Sequence, residues 1–201
     1  MKEQKATNVV WHEHKVTRQD RESLLKQKGV VIWLTGLSGC GKSTIANEVA
    51  YKLHKMGKLA YVLDGDNIRH GLNKDLAFSP EDRNENIRRI SEVAKLFADA
   101  GFVTLTAFIS PYRKFRNFCR ELAGPGRFFE VYVKASIETC EKRDTKGLYK
   151  KAKEGIIKDF TGINAPYEEP DAPELVLDTD IETVEESVEK VLTILKKQKI
   201  I

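Results

Sequence analysis

Long apolar runs are missing from this chain, and neither sign of charge dominates it. No segment approaches the ~20 consecutive apolar residues of a bilayer-spanning helix, so a membrane partner is not expected. The opening Met1-Lys2-Glu3-Gln4-Lys5 lacks the apolar core of a secretory signal, and the cytoplasm is the expected location. Cysteine is scarce. Cys40, Cys119 and Cys140 form no C-x-x-C pair and no zinc spacing, so reduced thiols are expected rather than a disulfide framework. Net charge is only +4. The basic clusters Arg88-Arg89, Lys150-Lys151-Ala152-Lys153 and Lys196-Lys197 do not add up to the concentrated basic face that nucleic acid requires. Small anionic ligands account for them, and no nucleic-acid partner is expected. There is no internal repeat, low-complexity tract or linker. What remains is an ordinary globular composition, 41% hydrophobic and 32% charged over 201 residues, enough for one α/β domain with a sizeable core.

One string carries chemistry. Gly36-Leu37-Ser38-Gly39-Cys40-Gly41-Lys42-Ser43 fits G-x-x-x-x-G-K-[ST], the phosphate-binding loop of nucleoside triphosphate enzymes. The context agrees: residues 30–34 read as a buried strand and residues 44–55, from Thr44 on, as a helix. Glycines let backbone N–H groups turn around a phosphate, and the following helix points its positive end at the same group. Lys42 is expected to reach the β- and γ-phosphate oxygens, and the Ser43 hydroxyl to ligate a Mg²⁺ that arrives with the nucleotide. Cys40 lies inside this loop beside Lys42, a setting that can activate a thiol. A small filler side chain is the favoured reading, with a redox role left open.

The rest of the chain alternates. Residues 1–16 read as an extended arm, and Thr17 caps a helix running to about Lys28. Strands are expected over 60–63, 102–109, 128–133 and 175–177. Helices are expected over 80–100, opened by Ser79-Pro80-Glu81-Asp82, and over 111–122 and 136–143, with a final helix faced by Val184, Val188, Val191, Leu192 and Leu195. Residues 144–170 carry many Lys, Gly and Pro and read as a mobile loop. This order implies an α/β fold with a mostly parallel central sheet and helices on both faces. Ligands in such sheets bind beyond the carboxyl ends of the strands. That rule gathers the phosphate loop, Asp64-Gly65-Asp66-Asn67-Ile68-Arg69 and Ser110-Pro111-Tyr112 around one cleft. Asp64 and Asp66, two apart at a strand end, suit a metal–phosphate centre: one would orient magnesium, the other the attacking hydroxyl. Which does which stays open. Arg69 suits an anionic substrate, and Arg83 and Asn86 share one face of the helix that follows.

At these residues the chain resembles a known family, the adenylylsulfate (APS) kinases of the stand-alone type. The likeness is carried by the phosphate loop, by Asp64-Gly65-Asp66-Asn67-Ile68-Arg69-His70-Gly71-Leu72, Phe78-Ser79-Pro80-Glu81-Asp82-Arg83 and Glu85-Asn86-Ile87-Arg88-Arg89, and by Phe108-Ile109-Ser110-Pro111-Tyr112, Lys146-Gly147-Leu148-Tyr149-Lys150-Lys151-Ala152 and Phe160-Thr161-Gly162-Ile163. It runs from about Asn8 to the C-terminus, with no sulfurylase-like segment. The resemblance implies a P-loop kinase: residues 1–28 an N-terminal arm and helix, residues 29–201 a single kinase domain with a mobile lid at about 144–165. It implies phosphorylation by ATP of the 3′-hydroxyl of adenosine 5′-phosphosulfate, giving PAPS and ADP, within sulfate activation. It implies an acceptor site made of Asp66, Asn67, Arg69, Phe78, Arg83, Asn86, Ile109, Ser110, Lys146 and Phe160. Phe78 and Phe160 would stack on a base, and Lys146 would stabilise charge in transfer. ATP would be held by Gly36 through Thr44 and by Arg143, the metal by Ser43 and Asp64. The catalytic set would be Lys42, Asp64, Asp66, Ser110 and Lys146, and the assembly a homodimer. Direct in-line transfer is preferred over a phosphorylated Ser110. Cys40 departs from the alanine or serine expected there.

Three rival readings fit the residues less well, among them a catalytically dead, regulatory relative, against which every nameable catalytic position holds a competent residue. A kinase of nucleosides or nucleoside monophosphates would keep the fold, but the Asp-Gly-Asp-Asn-Ile-Arg and Lys-Gly-Leu-Tyr-Lys-Lys strings argue against it. A GTP-dependent switch would need Asn-Lys-x-Asp, and Asn73-Lys74-Asp75-Leu76 lacks the final aspartate.

Overall fold

The computed structural model describes residues 6–201, so the reading of Met1 to Lys5 lies outside the described residues. Five strands form one sheet: β1 (Val30–Thr35), β2 (Ala60–Asp64), β3 (Val103–Ala107), β4 (Phe128–Lys134) and β5 (Leu175–Asp178). Their order is β2-β3-β1-β4-β5 and every pairing is parallel. The helices are α1 (Arg18–Leu25), α2 (Lys42–Lys55), α3 (Gly65–Arg69), α4 (Pro80–Asp99), α5 (Arg113–Ala123), α6 (Ile137–Lys142), α7 (Leu148–Lys153) and α8 (Val184–Lys197).

Strand parity divides the core. Val30, Ile32 and Leu34 of the fully buried β1 pack with α2 and α8, while Val31 and Trp33 pack with α4 and α5. A strand buried on both faces must be apolar without alternation, which is why 30–34 reads as a continuous run. Each fully buried aliphatic side chain here contributes roughly 1.5–3 kcal/mol. In β4 the same parity sends Phe129, Val131 and Val133 to the α2 side and Phe128 and Glu130 to the α5 side.

Local signals set the boundaries. Ser79 accepts from the Asp82 amide with Pro80 in the first turn, so α4 starts where the cap demands. Thr17 and Asp20 form a capping box on α1. That helix is tied to the body of the protein rather than hanging free: Arg18 and Arg21 pair with Asp99 at the end of α4, and Gln27, just after α1, bonds the carbonyls of Leu59 and Gly101 ahead of β2 and β3. Residues 6–16 form no helix or strand, as expected of an arm.

Two expectations are corrected. Asp64 ends β2 as expected, but Asp66 does not share the strand end: residues 65–69 form the short helix α3, because the Asp64 carboxylate caps it by accepting from the amides of Asp66 (3.0 Å) and Asn67 (3.4 Å). Residues 144–170 read as a loop, yet they contain α7 and a bridge between Thr161 and Ala165. Tyr149, Ala152, Phe160 and Thr161 are buried there. The segment's inward face is only a few residues wide among lysines, too little for a helical period to show.

Candidate active site

The carboxyl ends of the strands converge as the topology requires. Gly36 follows β1, Asp64 ends β2, Ile109 and Ser110 follow β3, and Thr179 follows β5. The phosphate loop is cramped by its neighbours. A Cβ on Gly36 (φ +149°) would sit 2.3 Å from the Val133 carbonyl oxygen, and one on Gly39 (φ +80°) would sit 2.8 Å from that of Cys140. Both positions therefore need glycine for conformation and for space. Lys42 is 8% exposed, and its Nζ donates to the carbonyls of Gly36 (3.0 Å) and Leu37 (2.6 Å), which holds the ammonium inside the curl of the loop. Cys40 is fully buried with its Sγ 3.6 Å from that ammonium, a filler inside the loop.

Ser43 Oγ donates to Asp64 Oδ2 at 2.5 Å. The capping role of Asp64 fixes one of its oxygens on α3 and aims the other at the phosphate loop. A hydroxyl and a carboxylate so joined are hard oxygen donors, the set Mg²⁺ takes. Among the described residues there is no cluster of three or more His, Cys, Asp or Glu side chains able to hold a metal. A cation here would therefore draw further oxygens from the phosphates it accompanies.

Asp66, one turn on, is ion-paired with Lys146 from the segment before α7. That hydrogen bond, with the Asp64 and Asp144 carboxylates nearby, holds the Lys146 ammonium above the usual lysine range, so it is a cation at neutral pH. The pair joins α3 to the segment before α7.

A second cluster is built around Arg69 and Arg83. The Arg69 guanidinium lies 4.3 Å from the centre of the Phe78 ring and donates to the carbonyls of Leu76 and Ala77. Burial, followed by the nearby Arg83 charge, lowers the Arg69 pKa from its ordinary value. Phe78 is 65% exposed, a large apolar face open to solvent at the cleft. Arg83 donates to the carbonyls of Phe78 (2.9 Å) and Asp159 (2.7 Å) and to Thr161 Oγ1 (3.4 Å), tying α4 to the segment after α7. Asn86 is buried and accepts from Asn73 Nδ2 at 2.8 Å. Phe160 stands edge-on to Tyr149 with ring centres 4.9 Å apart. Asn67, beside Asp66 on α3, is exposed at the same cleft.

Ser110 is placed differently from a reactive serine. It is 3% exposed, takes the left-handed conformation (φ 40°), accepts from Trp33 Nε1 at 3.0 Å and donates to Thr35 Oγ1 at 3.1 Å. The Ile109 carbonyl accepts from Thr35 Oγ1 at 2.7 Å. Arg143 is exposed and donates to Thr179 Oγ1 and O, while Thr179 Oγ1 donates to the Cys40 carbonyl at 3.0 Å. Arg143 is thus linked to the phosphate loop through one hydroxyl.

Sequence reasoning overlooked Thr179 as that link and passed over Tyr149, whose hydroxyl donates to the Ser38 carbonyl at 2.7 Å and docks α7 on the phosphate loop. Burial raises the Tyr149 pKa, keeping the hydroxyl protonated to donate. Tyr149 lies inside the Lys146–Ala152 string that carried the resemblance; Thr179 lies in none.

The family model for Adenylylsulphate kinase matches residues 28–178. An adenylyl-sulfate kinase of Clostridium acetobutylicum is 58% identical over 201 residues, 100% of each chain, and a probable adenylyl-sulfate kinase of Halalkalibacterium halodurans is 59% identical over 95% of each. The structure of the Mycobacterium tuberculosis APS kinase in complex with AMPPNP and APS superposes with a TM-score of 0.80 at 47% identity, covering 85% of this chain and 99% of the other. A phosphate-binding loop closed by a paired hydroxyl and carboxylate thus lies in a chain that belongs to the adenylylsulfate kinase family.

Proposed function

We propose that this protein transfers the γ-phosphoryl group of ATP to the 3′-hydroxyl of adenosine 5′-phosphosulfate, giving PAPS and ADP. The observation that carries the proposal is the joining of two half-sites by ion pairs and hydrogen bonds. Lys42 and Ser43 face the phosphate loop; Asp64 bridges from Ser43 to α3; Asp66 bridges from α3 to Lys146. In this reading Gly36, Leu37, Ser38, Gly39, Cys40, Gly41 and Thr44 wrap the triphosphate, and Arg143 borders the ATP base. Asp66, Asn67, Arg69, Arg83, Asn86 and Ile109 hold the acceptor, and Phe78 and Phe160 flank its base. Mg²⁺ bound by Ser43 and Asp64 would neutralise charge on the transferring group. Lys42 and Lys146 supply fixed positive charge from opposite sides, and Asp66 orients the attacking hydroxyl. Lid residues 144–165, docked through Tyr149 and Arg83, keep water out.

The protein works in the cytoplasm as a homodimer in this reading. Val9, Val10 and Trp11 are exposed on the arm, an apolar surface for self-association, and sedimentation of the purified protein checks it. Among the described residues no helix is long and apolar enough to cross a membrane.

Two experiments test the reaction. ADP release is expected with ATP, Mg²⁺ and APS, and not when AMP, GMP or adenosine replaces APS; release with another acceptor would overturn the substrate. Ser110→Ala is expected to lose about 1–3 kcal/mol of stability, because Trp33 Nε1 is left without its acceptor, while keeping most of its turnover. Loss of essentially all turnover with binding intact would instead support a phosphorylated serine.

A further inference from the structure

Arg116 of α5 is 1% exposed and lies outside every group named so far. Strand parity turns Glu130 of β4 toward α5, where its Oε1 accepts from Arg116 Nε at 2.6 Å. The other two nitrogens of the guanidinium reach away from that pair. Nη1 donates to the Ser110 carbonyl at 2.7 Å, and Nη2 donates to the Glu168 carbonyl at 2.7 Å. The Tyr167 ring lies 5.7 Å from the guanidinium carbon, and the Tyr167 hydroxyl is 2.9 Å from Thr35 Oγ1, the group that holds the Ile109 carbonyl. One rigid fork therefore fixes both the end of β3 and the segment that returns from the lid.

Stability alone does not account for it. A buried ion pair is often no better than apolar side chains of the same volume, because desolvation offsets the attraction. What an apolar pair cannot do is hold the carbonyls of two separate segments at fixed positions. One of those segments requires holding: Ser110 sits at φ 40°, a conformation that persists in a non-glycine residue only when its surroundings enforce it.

We propose that Arg116 is a positioning residue for the acceptor nucleotide. It sets the Ile109–Ser110 edge of the acceptor site against the lid return at Tyr167 and Glu168. The proposal rests on the reading that Ile109 and Ser110 border the APS site.

The test compares KM for the two substrates. The double variant Arg116→Met/Glu130→Leu removes both charges together, so it avoids a lone buried carboxylate; the Ser110 and Glu168 carbonyls lose their donor, and the variant is expected to fold with a melting temperature lowered by a few degrees. Its KM for APS is expected to rise roughly ten- to hundredfold, with KM for ATP unchanged, as displaced positioning groups do. Arg116→Lys keeps a cation beside Glu130 but cannot span both carbonyls; it is expected to show the same split at smaller size, and it decides the matter if the double variant does not fold. An unchanged KM for APS in a folded variant, or equal rises for both substrates, overturns the proposal. Phe78→Ala serves as the control: if it too leaves KM for APS unchanged, the acceptor-site reading is what has failed; if it raises KM while the Arg116 variants do not, only the role of Arg116 has.

Discussion

Replacing Lys42 with alanine is expected to lower kcat by about 10³-fold while leaving the protein folded. The magnitude is that of removing one preorganised charge from a site where negative charge develops. The side chain is suited to this. It is nearly buried, its hydrogen-bond partners among the described residues are loop carbonyls and the Cys40 sulfur, and Lys42 opens α2, whose positive end lies at the phosphate-binding loop. Among the described residues no carboxylate pairs with it, which leaves its charge free for an anionic ligand in the proposed reaction. Initial rates at saturating ATP and APS, with a melting curve for each variant, check the prediction. A loss of less than tenfold would mean that the backbone amides of the loop carry the phosphates without it.

The aspartate pair should separate under mutation. Asp64→Asn keeps an oxygen to cap α3 but removes the charge facing Ser43 Oγ, so the Mg²⁺ concentration for half-maximal rate should rise, with kcat falling roughly 10²- to 10³-fold. Asp66→Asn leaves Ser43 and Asp64 untouched and weakens the tie to Lys146, so kcat should fall at an unchanged Mg²⁺ requirement. Magnesium titrations of the two variants side by side measure this. If neither change moves turnover or metal dependence, the assignment of both residues is wrong.

How much of this was legible in the sequence differs by element. The sheet was, because both-face burial leaves unbroken apolar runs such as Val30 to Leu34, and because helix caps such as Ser79 announce themselves. The phosphate loop was legible for a steric reason: Gly36 and Gly39 sit where no side chain fits, so the motif is a record of backbone geometry. Helix α3 was hidden, since five residues show no period and its cap, Asp64, reads equally well as a turn aspartate. Helix α7 was hidden by composition, with lysines outside and only Tyr149 and Ala152 of its residues buried. Ser110 shows a different limit. Its place at a strand end is legible, but that its hydroxyl turns inward to Trp33 and Thr35 depends on a positive φ that no neighbouring residue predicts. Arg116 carries no signal at all in one dimension, since its partners lie 6, 14 and 52 residues away.

The most direct test of the central claim is the position of the new phosphate. The protein would be incubated with ATP, Mg²⁺ and APS, and the nucleotide product resolved by mass and by ³¹P–¹H coupling to the ribose. The reading of the site predicts one added phosphoryl group, on the 3′-oxygen, with the 5′-phosphosulfate intact and one ADP formed per product. A phosphate on any other oxygen, or ADP released without a phosphorylated acceptor, would contradict it.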